Sequence, residues 1–252
     1  MKQLYPFALV AATLLLSSCK KEIDYIGHHY NEASPYNIAK ITWTQPWGYP
    51  DTLTFSYDKW GNPISATRPR PSTGAPTFEF RYDGHHRLTD YIGMYAPPAQ
   101  AAEFWHRYIY NAHGLIGTDS VYIFPSVING QMVPTEHTMS RATQLTYDRY
   151  DRVIKQSAVP GQYDSVVYTY DAAGNLSGRG PYDDKVNFRR TSKVWMFIDR
   201  DYSINNPFIA SSYNNAWLPL HFSLTNGETY LGSFLYQNYL QDAYVTYTPA
   251  KK

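Results

Sequence analysis

The residues able to do chemistry form a few small sets in this sequence. Of the eight histidines, His85 and His113 each stand three places after a tyrosine that recurs along the chain, and His86 adds a third imidazole. Neighbouring turns would bring these rings near one another, but zinc needs three or four ligands converging at ~2.0–2.3 Å. Solvated turn tips do not offer that convergence, so neither a metal site nor a cofactor is expected. His28-His29 lies in a polar stretch and is a weaker ligand pair still. No Gly-x-Ser-x-Gly elbow occurs, so a strained serine nucleophile has no sequence basis. Paired carboxylates would serve glycoside hydrolysis, yet Asp58, Asp83, Asp148 and Asp171 are explained by turn geometry, and Glu79, Glu103, Glu136 and Glu228 have no spacing that forces proximity. The expectation is a protein without catalytic residues. Among the six tryptophans, Trp43, Trp47, Trp60, Trp105, Trp195 and Trp217, most are expected in cross-strand pairs and the core. Trp60 falls at a turn tip and is the candidate for stacking on a glycan.

The only cysteine is Cys19. Ahead of it stand Met1-Lys2-Gln3, an apolar run from Leu4 to Leu16, and Ser17-Ser18. A basic start, an apolar stretch and small residues before a cut describe a secretory leader, and the run is shorter than the ~20 residues of a membrane span. Leu16-Ser17-Ser18-Cys19 resembles a bacterial lipoprotein box, which implies removal of residues 1–18 and acylation of Cys19. Several acyl chains hold a protein to a bilayer firmly. Lys20-Lys21-Glu22-Ile23-Asp24 resembles the charged export signal that follows the cysteine in surface lipoproteins of Bacteroidetes, with Ile23 interrupting the acidic run. A single cysteine also leaves no disulfide within the chain, so packing must stabilise it.

One unit recurs. It reads Phe55-Ser56-Tyr57-Asp58-Lys59-Trp60-Gly61, then Phe80-Arg81-Tyr82-Asp83-Gly84-His85-His86. Tyr108-Ile109-Tyr110-Asn111-Ala112-His113-Gly114 and Leu145-Thr146-Tyr147-Asp148-Arg149-Tyr150-Asp151 follow. The last two are Tyr168-Thr169-Tyr170-Asp171-Ala172-Ala173-Gly174 and a degenerate Ser212-Tyr213-Asn214-Asn215-Ala216-Trp217. The anchoring tyrosines are 25, 28, 37, 23 and 43 residues apart, so a constant hairpin alternates with variable connections. Leu53, Phe55 and Tyr57 alternate with Thr52, Thr54 and Ser56, the period of a half-buried strand. Asp or Asn then starts a turn by bonding the backbone ahead. Three residues later comes a residue suited to positive φ: Gly61, Gly114 and Gly174, or His86 and Asp151, whose types are enriched there. Trp217 is not of that kind.

These units resemble the YD repeats of Rhs and teneurin-like proteins, and the layout is similar to small YD-repeat lipoproteins of Bacteroidetes. The resemblance spans roughly residues 50–225 and implies hairpins laid side by side. It carries no activity with it, and so few copies do not enclose a toxin as the large shells do.

The expected division is a leader (1–18), a polar tether (19–36) and one β domain (37–252). Ile41–Trp43, Val121–Phe124, Val166–Tyr170, Val194–Ile198, Phe222–Leu224, Phe234–Tyr236 and Tyr244–Tyr247 read as further strands, while Gln100–Trp105 reads as one helical turn. The expected fold is all-β, a single antiparallel sheet of consecutive hairpins, strongly curved or partly closed into a half-barrel, because large sheets rarely stay flat and open. Charged residues make up 17% of the chain and aromatics another 17%. The leader holds only Lys2, so 21 basic residues then balance 21 acidic ones. Disorder, coiled coil and nucleic-acid binding are thereby excluded. Asp51-Thr52-Leu53, Asp119-Ser120-Val121 and Asp164-Ser165-Val166 resemble a Bacteroidetes O-glycosylation pattern. The functional expectation is a lipid-anchored outer-membrane protein whose β scaffold faces the cell exterior and binds a glycan or protein. The alternatives are a periplasm-facing structural lipoprotein and a glycan-active hydrolase.

Overall fold

Each strand that ends in Asp or Asn is turned back by the same set of hydrogen bonds. In the first hairpin Asp58 Oδ1 accepts from the Trp60 and Asn62 amides at 2.8 and 2.9 Å, and the Gly61 amide donates to the Asp58 carbonyl at 3.2 Å. Asp83, Asn111, Asp148 and Asn214 repeat the pattern, and Asp171 keeps it except for the amide two residues ahead. The fourth position takes positive φ whether or not it is glycine: +83° at Gly61, +60° at His86 and Asp151, and +61° at Trp217. The degenerate sixth copy therefore makes the full turn, with Lys185 Nζ lying 4.1 Å from the Trp217 ring centre. Nitrogen and oxygen atoms satisfied within each turn set its shape, and the side chain at the fourth position adapts.

A computed structural model describes residues 34–45, 48–95, 101–135, 138–159, 165–224 and 240–250. Its strands are β1 (Tyr36–Thr44), β2 (Pro50–Tyr57), β3 (Pro63–Thr67), β4 (Thr77–Tyr82), β5 (Leu88–Met94), β6 (Ala102–Tyr110) and β7 (Ile116–Ile123). Then come β8 (Ser126–Ile128), β9 (Gln131–Val133), β10 (Met139–Tyr147), β11 (Val153–Ala158), β12 (Val166–Val167), β13 (Ser212–Tyr213), β14 (Pro219–Leu224) and β15 (Leu240–Pro249). Thirteen strands form one sheet in the order β12-β11-β10-β7-β6-β5-β4-β3-β2-β1-β15-β14-β13, while β8 and β9 pair apart. Every adjacent pair is antiparallel. All six turns consequently project from one edge of the sheet. The start of β1 lies at that edge too, where Tyr36 pairs with Pro249.

Two expectations are corrected. The sheet is open, with β12 and β13 as unjoined ends, and it neither closes nor curls into a half-barrel. Nor is the chain all-β: Val194–Ile198 lies in helix α1 (Lys193–Asp199), preceded by a 3₁₀ turn at Phe188–Thr191. The two corrections share a cause. A sheet that closes on itself buries its inner face; here a segment of the chain between the fifth and sixth hairpins covers that face instead. Trp195 of α1 packs edge-on against Phe55 of β2 and Phe80 of β4, at centroid distances of 5.5 and 5.4 Å. Phe197 meets Tyr108 of β6, and Phe188 and Phe208 meet Phe222 of β14. A short run that is apolar all round suits a helix buried on every side as well as a strand. The Ser192 cap, whose Oγ accepts from the Val194 amide at 3.2 Å, decides for the helix. Gln100–Trp105 is corrected as well, since Ala102–Trp105 opens β6. Phe234–Tyr236 lies outside the described residues, and no helix among the described residues is long and apolar enough to cross a membrane.

On the opposite face β8 and β9 cover Ile92, Ala102 and Trp105, with Met132 in the same cluster. Consecutive residues such as Phe104 and Trp105 are therefore both buried, one under each cover.

The recurring tyrosines join the hairpins. Tyr82 donates its hydroxyl to the Pro63 carbonyl at 2.7 Å, Tyr110 to Leu88 at 3.0 Å and Tyr147 to Ile116 at 2.8 Å. Tyr57 does the same to Ile38 and Tyr247 to Pro219, both at 2.8 Å. Tyr82, Tyr110 and Tyr147 each reach the first residue of the strand returning from the hairpin before, whereas the Tyr170 hydroxyl makes no such bond and Tyr213 donates to Asp183 at 2.9 Å. Tyr82→Phe leaves a carbonyl without its donor, with an expected loss of about 1–2 kcal/mol. Tyr49, 73% exposed, serves as control. Urea unfolding midpoints should fall for Tyr82→Phe and stay put for Tyr49→Phe; equal midpoints would refute the latch.

Candidate functional site

The turn edge gathers most of the residues that the sequence singles out. Asp58, Asp83, Asp148 and Asp171, with Asn111 and Asn214, spend their side-chain oxygens on their own turns. Arg87 grips the Asp83 carboxylate, Nε to Oδ2, at 2.8 Å and holds its pKa down to about 2. Partial burial pushes Asp58 up, but hydrogen bonds from Asn62 and the Trp60 amide outweigh it and the carboxyl lies below its ordinary value. Lys59, Trp60, His85, His86, His113, Arg149 and Trp217 are exposed there, as are the carboxylates of Asp151 and Asp171. Trp60 is 54% exposed and Trp217 56%. Adjacent tips touch, since the Trp60 and His86 rings lie 3.8 Å apart with Lys59 Nζ 4.3 Å from the indole centre.

The tip histidines do not converge. Among the described residues no group of three or more His, Cys, Asp or Glu side chains could hold a metal ion. Of the other tryptophans, Trp43 and Trp195 are buried in the core, and Trp105 stacks on Tyr122 while donating to Asp90 at 2.6 Å. The carboxylates are engaged elsewhere too. Glu79 pairs with Arg81 at 2.7 Å, Asp51 with Arg68 at 2.5 Å, and Glu103 accepts from Tyr95 and the Gly74 amide. Asp119, read as a glycosylation-pattern residue, is buried in a charge cluster. Cys19, His28, His29, Trp47, Glu136, Asp164 and Glu228 lie outside the described residues.

Two buried ionic groups escaped the sequence reading. His106 Nδ1 lies 2.9 Å from Asp119 Oδ1, and Arg200 Nη2 lies 2.8 Å from Asp119 Oδ2. Burial pushes the Asp119 carboxyl up, but His106 and Arg200 outweigh it and hold the group below its ordinary value. Burial likewise works against the Arg200 charge, and Asp119 more than restores it. An imidazole oriented by a carboxylate is the base-and-orienter half of a catalytic triad. Among the described residues no serine, threonine or cysteine side chain hydrogen-bonds His106, so the nucleophile half is missing. Arg200 locks the carboxylate, which makes the group a clamp between α1 and the sheet. The second group sets Arg189, fully buried, against Asp199 at 2.6 Å and Asp201 at 3.5 Å, with Arg179 3.3 Å from Asp201. One signal existed in the sequence: Asp119 falls two residues before Val121, on the apolar face of a strand. Its partner, 81 residues away, carried no mark.

No known protein-family model matches the chain, and no curated protein matches it in sequence.

Proposed function

We propose that this protein is a lipid-anchored, non-enzymatic scaffold of a bacterial cell envelope, held through an acylated Cys19 and displayed on the outer membrane toward the exterior. It binds a protein or glycan through the edge opposite the hairpin turns. The observation carrying this reading is the difference between the two edges of the sheet. β1 begins at the turn edge, and Tyr36 follows Cys19 by 17 residues in the sequence. At the far edge Tyr49, Phe124, Met139 and Val159 are exposed, and Phe124 holds φ at +53°. A bulky residue with positive φ stores backbone strain, and exposed apolar side chains on loops are where recognition concentrates. The engaged carboxylates and the locked His106 favour binding over hydrolysis.

Cys19→Ala tests the anchor. The wild-type chain is expected in the membrane fraction and the variant in the soluble fraction. A variant that stays membrane-bound contradicts acylation at Cys19.

A further inference from the structure

We propose that the ribbon of β8 and β9 is a lid, which lifts from the sheet and yields the apolar seat beneath it to an extended segment of a partner protein. The proposal narrows the reading of the edge opposite the turns, from a protein or glycan to a protein, and rests on that reading for the choice of edge.

Among the described residues, the main-chain ties between the ribbon and the large sheet lie at the ribbon's base. Ser126 forms a single bridge with Ala101, the Ala102 amide donates to the Pro125 carbonyl at 3.0 Å, and the Phe124 amide donates to the Glu103 carbonyl at 3.1 Å. Beyond Ser126 the two strands pair with each other, as a sheet of their own. Asn129 and Gly130 close that pairing at the tip, with φ of +51° and +74°, the turn that suits a two-residue hairpin. The outer face of the ribbon carries Ile128, 52% exposed. The inner face carries Val127 and Met132, which stand opposite each other and pack on the sheet. Packing centred on these two side chains holds the ribbon down.

The seat beneath is apolar. Ile92, Ala102 and Trp105 are buried there, and Met94 and Tyr122 are partly buried against them. The Trp105 and Tyr122 rings stack on each other at 4.8 Å, and the Trp105 indole donates to Asp90 at 2.6 Å. A sugar stacks on an open ring face and hydrogen-bonds to the groups around it; here each ring covers the other and Asp90 serves the indole. An extended peptide brings what the ribbon already brings, aliphatic side chains along one face of a strand. The ribbon therefore sits as a stand-in for the partner. Met94 and Met132, one on each side of the contact, are of the type that repacks most readily when an occupant changes.

Phe124 joins the ribbon to β7 with φ at +53°. A bulky residue held there is strained, and lifting the ribbon frees the dihedral. That strain works against the packing of Val127 and Met132, so the ribbon opens at a smaller cost than the sheet around it.

The test uses residues 19–252 with Cys19→Ser, which removes the only cysteine of the sequence. Ala102→Cys then places one thiol under the ribbon, and Val121→Cys places one on the opposite face of the sheet; both positions are buried. Iodoacetamide should label the thiol of Ala102→Cys about a hundredfold faster than that of Val121→Cys, because lifting the ribbon exposes only the first. Met132→Ser weakens the ribbon's hold and should speed labelling under the ribbon about tenfold, with labelling on the opposite face unchanged. A fluorescent peptide of residues 124–134 should bind the Met132→Ser chain about tenfold or more tighter than the parent, whose own ribbon competes for the seat. Thermal melts show that each variant keeps its fold; where Ala102→Cys disturbs the melt, Ile92→Cys, also under the ribbon, takes its place. Equal labelling of the two thiols overturns the lid. A peptide that binds neither chain, or both alike, overturns the seat, as does an opened seat that takes dextran and refuses the peptide. Any of these failures leaves the edge reading standing, since Tyr49, Met139 and Val159 lie outside the ribbon.

Discussion

Above pH 10 the protein should lose stability steeply as pH rises. Burial pushes the hydroxyls of Tyr57, Tyr82, Tyr108, Tyr147, Tyr202 and Tyr247 far above the ordinary tyrosine value. Tyr110, nearer solvent, is raised to about 12. An acid whose folded value is raised keeps its proton in the native state while the unfolded chain ionises near 10. Between the two values the native state holds more protons, so stability falls as pH rises. Each tyrosine contributes about 1.4 kcal/mol per pH unit. Three of the most buried, Tyr108, Tyr202 and Tyr247, together remove about 4 kcal/mol for the first unit above 10, against a total stability of about 5–15 kcal/mol. The latches double the effect in kind, because a phenolate cannot donate to the carbonyls that Tyr57, Tyr82, Tyr147 and Tyr247 hold. Phenolate absorbance and far-ultraviolet circular dichroism, followed together against pH, should change in one coincident step. Tyrosines that ionise near 10 while the sheet signal persists would show that the latches are dispensable.

Arg189→Ala is expected to cost about 3–5 kcal/mol, the range for removing one partner of a buried ion pair. The guanidinium is fully buried and holds Asp199 at 2.6 Å while standing 3.5 Å from Asp201. Its loss takes the guanidinium from Asp199 and leaves Asp201 to Arg179 and Ser203. Arg189→Met/Asp199→Leu, which removes both charges of the closest pair, should recover much of the loss. The exposed pair Arg81–Glu79, at 2.7 Å, should cost less than about 1 kcal/mol when Arg81 is replaced by Ala. Guanidinium midpoints for these variants provide the measurement. An Arg189→Ala protein as stable as the parent would mean that α1 and the 3₁₀ turn do not depend on their ionic core.

What the sequence disclosed, and what it hid, divides by range. The turns were local: Asp58, Gly61 and Asn62 fix their geometry among themselves, and each later copy does likewise. Tyr82, Tyr110 and Tyr147 are legible as strand ends, but their hydroxyl acceptors lie on the preceding hairpin, and alternation alone does not separate tyrosine from phenylalanine. Val194–Ile198 was misread because five buried apolar residues carry no period; the Ser192 cap was the discriminating mark. The expectation of a closed sheet rests on strand number alone, and α1, which packs on Phe55 and Phe80, covers the face that closure would have buried. His106, Asp119 and Arg200 come from β6, β7 and the end of α1, and nothing local announces a pairing over that distance. In the sequence each tip is a separate solvated turn; that all six share one edge follows only from strand order.

Protease treatment of intact cells tests display at the cell surface most directly, with a periplasmic protein followed in the same sample. Cleavage of this chain while the periplasmic control survives is the predicted result. Protection of both until the outer membrane is breached would contradict it and assign the scaffold to the periplasmic face.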